Sequence, residues 1–205
     1  IASRQTSDIF NGAPSYRPSY NSYMWGDERA IANIARLAGD QAEAATFDAK
    51  AAALKARLQS WLWDTNRDFF LIRFKNNEEN KKDFPGKPIE ANTCIYQDGP
   101  FAGSSQGLEL NGYVPWYFNL PDPGYASAWK FRMDTNYFFA HYGPSFVGRQ
   151  DPLFRVTTSC CWWSGQSWPY ATTQTLKALA NLLQNYHQNV ITRADYYKLL
   201  RVYTL

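Results

Sequence analysis

Cysteine and histidine are scarce in this sequence. Its 205 residues include three cysteines (Cys94, Cys160 and Cys161) and two histidines. Three cysteines cannot form a disulfide framework, and the adjacent Cys160 and Cys161 are poorly placed to pair with each other. No Cys-x-x-Cys or histidine-rich spacing typical of a zinc site occurs. We therefore expect neither a metal ion nor another cofactor.

Charge of one sign and long apolar runs are lacking as well. Lys and Arg number 21 against 18 Asp and Glu, a net charge of +3 without a basic block, which argues against a nucleic-acid partner. No stretch of about 18 apolar residues is present, so we expect no membrane span. Hydrophobic residues make up 45% of the chain, which excludes intrinsic disorder. The first residue is Ile, with no signal-type segment after it, so we expect a processed, engineered or partial chain.

Apolar periodicity predicts a mainly helical domain over residues 1–205, without an internal linker. Apolar residues at spacings of three and four predict helices over about 22–37 and 41–62. Between them, Gly39 is a residue that commonly ends a helix, and Asp40 is a suitable N-cap for the second one. A third helix is predicted over 167–186, with Ser167 as its cap, and a fourth over 192–203 behind a near capping box. Between them, residues 63–75 read as extended, 107–120 as a helix start containing Pro115, and a short helix follows from about Tyr125.

The predicted helices pair through short connections, which gives the fold class. Helical hairpins with long polar-aromatic loops at one end resemble part of an (α/α)6 toroid. Twelve helices of average length with such loops need about twice this chain length. We therefore expect roughly half of a barrel, completed by further polypeptide in the same or another chain.

Aromatic residues are abundant, and they cluster. Eight Trp, 14 Tyr and 13 Phe make up 17% of the chain, concentrated in residues 16–27, 109–117 and 161–170. Each cluster precedes or opens a predicted helix, where free N–H groups can meet a polar ligand. Ring faces beside short polar side chains suit a saccharide. The alternative to a sugar site is that these aromatic residues pack between helices. Both interpretations stay open for the first two clusters, whereas three Trp within residues 162–168 favour a sugar site in the third.

Three stretches resemble one known enzyme family. WWSGQSWPYATTQTLKALANLL is similar to the Trp-rich motif and following helix of glycoside hydrolase family 63 and its mannosylglycerate-hydrolase-like relatives. YRPSYNSYMWGDERAIANIARLAGD and LELNGYVPWYFNLPD resemble two other segments, in the family's order. The resemblance implies an (α/α)6 barrel, the six-hairpin glycosidase architecture, that hydrolyses an α-linked glucosyl or mannosyl glycoside, with an exo-acting mode expected. Its substrate partner would be an oligosaccharide or glycoside.

The resemblance also implies which residues line a sugar pocket. In the third motif, Trp162 stands in place of the family's Tyr, Trp163 and Trp168 keep its two Trp, and Gly165 keeps its Gly. Ser164 replaces the family's Arg, and Gln166 its Pro. In the first cluster, the candidates for substrate binding are Tyr16, Arg17, Asn21 and Trp25.

The implied mechanism needs a pair of carboxyl groups. In an inverting glycosidase one protonates the leaving oxygen and the other activates water, at a separation of about 6.5–9.5 Å. The family's acid lies in an SGxD-type loop, which does not precede Tyr16 here, and its base would fall at or beyond Leu205. We therefore expect both groups outside this chain. Glu109, in a Gly-rich and aromatic context, is the in-chain candidate.

Two other functions fit the same composition. One is a non-catalytic carbohydrate-binding domain, which would keep the aromatic pocket without the acids. The other is a helical scaffold that uses aromatic side chains as hot spots against another protein. Abundant Trp, Tyr and Asn are typical of extracellular glycan enzymes, whereas unpaired cysteines are less typical of secreted domains, so the balance favours a secreted or extracytoplasmic location.

Overall fold

Helices dominate the part of the chain that the structure describes. A computed structural model describes residues 2–3, 15–74, 78–79, 88–89, 108–151, 154 and 165–204. The α-helices in these ranges are α1 (Pro18–Leu37), α2 (Gln41–Leu62), α3 (Val114–Tyr117), α4 (Pro169–Asn185) and α5 (Arg193–Thr204). Among the described residues between α2 and α4, Leu110–Tyr113 and Pro123–Phe131 form 3-10 helices.

Short antiparallel strands accompany the helices. They are β1 (Ala2–Ser3), β2 (Ser15–Tyr16), β3 (Trp63–Asp64), β4 (Phe69–Phe70), β5 (Arg73–Phe74), β6 (Glu78–Glu79) and β7 (Pro88–Ile89). β1, β2 and β5 form one sheet in that order, while β3 pairs with β4 and β6 with β7. The β2–β5 register places Tyr16 opposite Arg73, so the residue that leads into α1 is tied to the segment that follows α2.

The α1–α2 hairpin is closed by the two connecting residues that the sequence indicates. Gly39 has a φ of +84°, a left-handed conformation that glycine adopts without steric cost. The Asp40 carboxylate accepts a hydrogen bond from the Glu43 amide at 2.9 Å and so caps α2. Small residues on the facing sides, Ala32 and Ala35 of α1 and Ala44 of α2, are buried and let the two helices pack closely.

The caps of α4 and α5 differ in how well the sequence predicts them. α4 begins with Pro169 in its first turn, as expected, but its N-cap residue is Trp168 in an extended conformation and not Ser167. α5 has the predicted capping box, since the Asp195 amide donates to the Thr192 hydroxyl at 3.2 Å and the Thr192 amide donates to the Asp195 carboxylate at 2.9 Å. α1 begins at Pro18, four residues before its predicted start.

The core is aromatic and lies largely outside the long helices. Tyr113 and Trp129 pack with ring centroids 4.2 Å apart, and Phe69 meets Tyr113 edge-on at 5.0 Å. Trp116 is fully buried and contacts Trp129 edge-on at 5.6 Å. The inter-helix alternative is therefore correct for Tyr113 and Trp116 of the 109–117 cluster, because both rings serve the core.

The mainly helical fold class is confirmed. α1 pairs with α2, and α4 contacts both α3 and α5, as expected of helical hairpins joined by aromatic segments. Within the described residues, no helix combines the length and the apolar character needed to cross a bilayer.

Candidate functional site at the junction of three aromatic segments

The first cluster surrounds the start of α1. The Tyr16 ring meets Trp61 of α2 edge-on, with centroids 6.0 Å apart, and Arg17 is the N-cap residue of the helix. Asn21 is buried and donates from its side-chain amide to the Arg17 carbonyl at 2.7 Å. Trp25 is half-buried against the core. All four predicted residues thus lie within the first turns of α1 or immediately before them.

The second and third clusters are joined by one extended segment. Glu109 forms an isolated antiparallel bridge with Val147, and the Leu110 amide donates to the Phe146 carbonyl at 2.9 Å. The Phe146 amide in turn donates to the Gln166 carbonyl at 3.1 Å. Residues 146–147 therefore lie between the Glu109 segment and the Gln166 segment, and they hold these two predicted positions near each other.

Glu109 itself is half-buried. Its carboxylate accepts a hydrogen bond from the Asn111 side-chain amide at 3.2 Å. Its main-chain carbonyl accepts one from the Gly112 amide at 2.9 Å, which begins the 3-10 helix. Both contacts hold the glutamate at a helix start, so the carboxylate has at least one local structural role.

The third cluster leads into α4. Gly165 is half-buried, Gln166 is exposed, and Trp168 is half-buried against the core. The Trp168 carbonyl accepts the Thr172 amide at 2.9 Å, which forms the first turn of α4. Trp162 and Trp163 lie outside the described residues, so their predicted role in the pocket stays a prediction.

The three segments meet at Tyr23 of α1. The Tyr23 ring contacts Phe118 edge-on with centroids 5.0 Å apart, and it lies 6.5 Å from the ring of Tyr117. Its hydroxyl oxygen lies 3.2 Å from the hydroxyl oxygen of Tyr170 in the first turn of α4. Residues that belong to or directly follow the three clusters are therefore within contact distance of one side chain.

A buried glutamine completes this junction. Gln174 is 6% exposed, and its side-chain nitrogen donates to the Tyr170 hydroxyl at 3.1 Å and also to the Tyr23 hydroxyl. Tyr170 is 61% exposed. Burial, and next the hydrogen bond with Tyr170, raise the pKa of Tyr23 to about 12, so its hydroxyl is protonated at neutral pH. The junction is thus a cluster of neutral donors and acceptors that reaches the surface at Tyr170.

Sequence comparison identifies the family. Residues 2–205 match the family described as the mannosylglycerate hydrolase MGH1-like glycoside hydrolase domain. The chain belongs to this family. The resemblance stated from the Trp-rich motif and the two earlier segments is thereby confirmed over almost the whole chain. No curated protein matches the chain.

Solved structures similar to this glycoside hydrolase domain are much longer. One described as a sialidase is 32% identical with a TM-score of 0.77, and the match covers 97% of this chain and 16% of the sialidase chain. An uncharacterized conserved protein from Thermus thermophilus is 15% identical with a TM-score of 0.58, and the match covers 92% of this chain and 39% of that protein. A GH63 mannosylglycerate hydrolase from the same organism, in complex with glucose, is 13% identical with a TM-score of 0.52, and the match covers 92% of this chain and 37% of the hydrolase chain. The last two support the fold alone.

Sequence reasoning misses three residues of the glycoside hydrolase domain's junction. Tyr170 and Gln174 are four residues apart, a spacing that places both on one face of a helix and that could have indicated them. Tyr23 lies inside the predicted first cluster but is not among its candidates for substrate binding. Among the described residues, no group of three or more His, Cys, Asp or Glu side chains could hold a metal ion.

Proposed function

We propose that this chain is part of an inverting glycosidase that removes a terminal α-linked glucosyl or mannosyl unit. The observation that carries the proposal is the convergence on Tyr23 of residues from three segments that resemble the family's pocket segments. Aromatic faces with hydroxyl and amide groups beside them are what a sugar ring requires. The family to which the chain belongs supports a glycoside substrate. One structural neighbour is described as a mannosylglycerate hydrolase in complex with glucose, and this proposal carries that substrate class over to the chain.

In this proposal the catalytic carboxyl groups come from polypeptide beyond this chain. One would protonate the leaving oxygen and the other would activate water from the opposite face of the ring. This chain would supply part of the sugar-contacting surface, with Glu109 as its own candidate carboxylate. Because the chain spans only 16–39% of the similar solved structures, the remaining hairpins of the barrel would have to be supplied by further polypeptide.

The uncovered face of α1 supports this assembly. Ile31, Ile34 and Leu37 recur at three-residue spacing and are all exposed, Leu37 by 89%. The opposite face of α1 is buried against α2 and the core. A helix with apolar residues on both sides is typical of the interior of a larger helical protein.

The proposal is tested by the hydrolysis of methyl α-mannoside, methyl α-glucoside and α-mannosylglycerate by a polypeptide that includes this chain and the remaining hairpins. Proton NMR follows the anomeric signal of the released sugar, and the β-anomer is expected first because inversion changes the configuration. Early release of the α-anomer would contradict inversion. Sugar binding without any hydrolysis, by a polypeptide that includes the remaining hairpins, would favour the non-catalytic carbohydrate-binding alternative.

Glu109 is tested separately in the same assay. Glu109→Gln keeps the size of the side chain and its contact with Asn111. If catalysis depends on carboxyl groups elsewhere, this variant keeps most of its turnover. A loss of about a hundredfold or more would instead assign Glu109 a general acid or base role.

A further inference from the structure

The Tyr23–Tyr170–Gln174 cluster has one more hydroxyl hydrogen than it uses internally. The Gln174 side-chain amide has two hydrogens and donates one to each tyrosine oxygen. The two tyrosine oxygens lie 3.2 Å apart, so one hydroxyl donates to the other. This leaves the second hydroxyl hydrogen without an acceptor among the described residues.

Exposure decides which hydroxyl points outward. Tyr23 is half-buried against Phe118 and Tyr117, whereas Tyr170 is 61% exposed in the first turn of α4. The internal hydrogen bond therefore runs from the Tyr23 hydroxyl to the Tyr170 oxygen. The Tyr170 oxygen then accepts from both Tyr23 and Gln174, and its own hydrogen is directed to solvent or to a ligand.

We infer that the Tyr170 hydroxyl is a sugar-contacting group that donates to an oxygen of the bound glycoside, and that Gln174 and Tyr23 are positioning residues that orient it. Because hydrogen bonds in a chain polarise one another, a Tyr170 hydroxyl that already accepts two hydrogen bonds is a stronger donor. The ligand class is a polyhydroxylated sugar, whose oxygens accept such bonds. This inference rests on the proposed function and adds to it a contact that no part of the family resemblance supplied.

Removal of the outward hydrogen is the first test. Tyr170→Phe keeps the ring and deletes the hydroxyl, and the affinity for methyl α-mannoside or methyl α-glucoside is measured by NMR titration. We expect affinity to fall about three- to tenfold, the usual effect of one neutral hydrogen bond. Tyr197→Phe on α5 is the matched control, because the exposed fraction of Tyr197, 64%, is similar to the 61% of Tyr170. The Tyr197 variant is expected to bind the glycoside as the unaltered chain does.

Reversal of the glutamine's donor role is the second test. Gln174→Glu is nearly the same size, but its carboxylate accepts hydrogen bonds, so both tyrosine hydroxyls turn inward to it. We expect this variant to lose affinity to the same extent as Tyr170→Phe. The double variant is expected to be no weaker than either single variant, since both changes remove the same outward hydrogen. A merely structural role for Gln174 predicts additive losses and a lower melting temperature.

The outcomes separate the inference from the proposed function. If the unaltered chain binds the sugar and Tyr170→Phe binds it equally well, the inference is wrong and the proposed function stands. If the unaltered chain binds neither glycoside when the remaining hairpins are present, the proposed sugar site is wrong and the inference falls with it. Loss of affinity in Tyr170→Phe and Gln174→Glu without additivity supports both.

Discussion

The side-chain amide of Asn181 in α4 donates to the main-chain carbonyl of Trp116 at 3.0 Å. It donates to the next carbonyl, that of Tyr117, at 2.7 Å. Asn181 is 4% exposed, and its own oxygen accepts a hydrogen bond from Lys177 at 2.9 Å. This one side chain therefore fixes the C-terminal end of α3 against the middle of α4. Because Tyr117 and Tyr170 both lie beside Tyr23, the same link helps to hold the junction together.

Loss of this link is expected to destabilise the fold. Asn181→Leu keeps the volume but leaves the part-buried Tyr117 carbonyl without its donor, while the Trp116 carbonyl still accepts from the Asn119 amide at 3.1 Å. The expected cost is about 1–3 kcal/mol of unfolding free energy. Urea unfolding measures it. Asn185→Ala is the control, because the hydrogen bond from the Asn185 side chain to Asn119, at 2.9 Å, is exposed to solvent. This variant should cost under about 0.5 kcal/mol. Equal losses for the two variants would contradict the assigned role of Asn181.

Gly112 is expected to tolerate no side chain. A Cβ atom there would lie 2.2 Å from a ring carbon of Phe69 and 2.6 Å from the carbonyl oxygen of Phe70, both in β4. Gly112→Ala therefore forces the aromatic core apart, with an expected cost of about 1–3 kcal/mol or more. Gly124→Ala is the matched control, since a Cβ there meets nothing within 4 Å. Thermal unfolding of the two variants should differ clearly, and similar melting temperatures would refute the packing described here.

The capping box of α5 gives a prediction about a helix end. Thr192→Ala removes the hydroxyl that accepts from the Asp195 amide and should cost about 1 kcal/mol. Thr192→Ser keeps the hydroxyl and should recover most of that loss. Chemical denaturation distinguishes the two, and a serine variant as unstable as the alanine variant would show that the threonine methyl group, and not the cap, matters.

Alkaline pH should destabilise the protein through Tyr113. This tyrosine is fully buried, and its hydroxyl donates to the Ala128 carbonyl at 3.1 Å. Burial raises the pKa of Tyr113 far above its ordinary value, although the nearby Arg132 lowers it in part. Tyr113 then ionises readily only in the unfolded chain. This contribution to stability is therefore intact below about pH 10 and is lost as the pH rises further.

The pH prediction is checked with Tyr113→Phe. Between about pH 9 and pH 11, the unfolding free energy of the unaltered chain should fall more steeply than that of the variant, by up to about 1.4 kcal/mol per pH unit. The variant is expected to be less stable at neutral pH, since the Ala128 carbonyl loses its donor. Parallel pH profiles would mean that Tyr113 ionises as easily in the folded chain as in the unfolded one.

Local patterns in the sequence are enough to predict where the long helices lie. The bounds of α2 agree with those predicted, because Asp40 caps its start and Leu62 is the last buried residue before β3. The predicted start of α4 is too early, since Ser167 has the chemistry of a cap but Trp168 has the extended backbone that precedes the helix. Propensity cannot indicate that residues 123–131 form a 3-10 helix, because the apolar spacing there fits either kind of helix.

The candidate site is predictable only in part. The clusters at the starts of α1 and α4 stand out by composition. Their contact through Tyr23 and Tyr170 joins residues 147 positions apart, which no local pattern encodes. The same limit applies to the 109–117 cluster, where the sequence shows aromatic residues but not that Tyr113 and Trp116 are fully enclosed. Side chains that three distant segments share are found only when those segments are packed together.

The most direct test of the proposed sugar site is the affinity of Trp163→Ala for methyl α-mannoside and methyl α-glucoside. Melting temperature is measured alongside, and Tyr197→Ala, at an exposed tyrosine of α5, is the control. We expect Trp163→Ala to abolish binding with little change in melting temperature, while the Tyr197 variant still binds. A large drop in melting temperature with unchanged affinity in Trp163→Ala would contradict it.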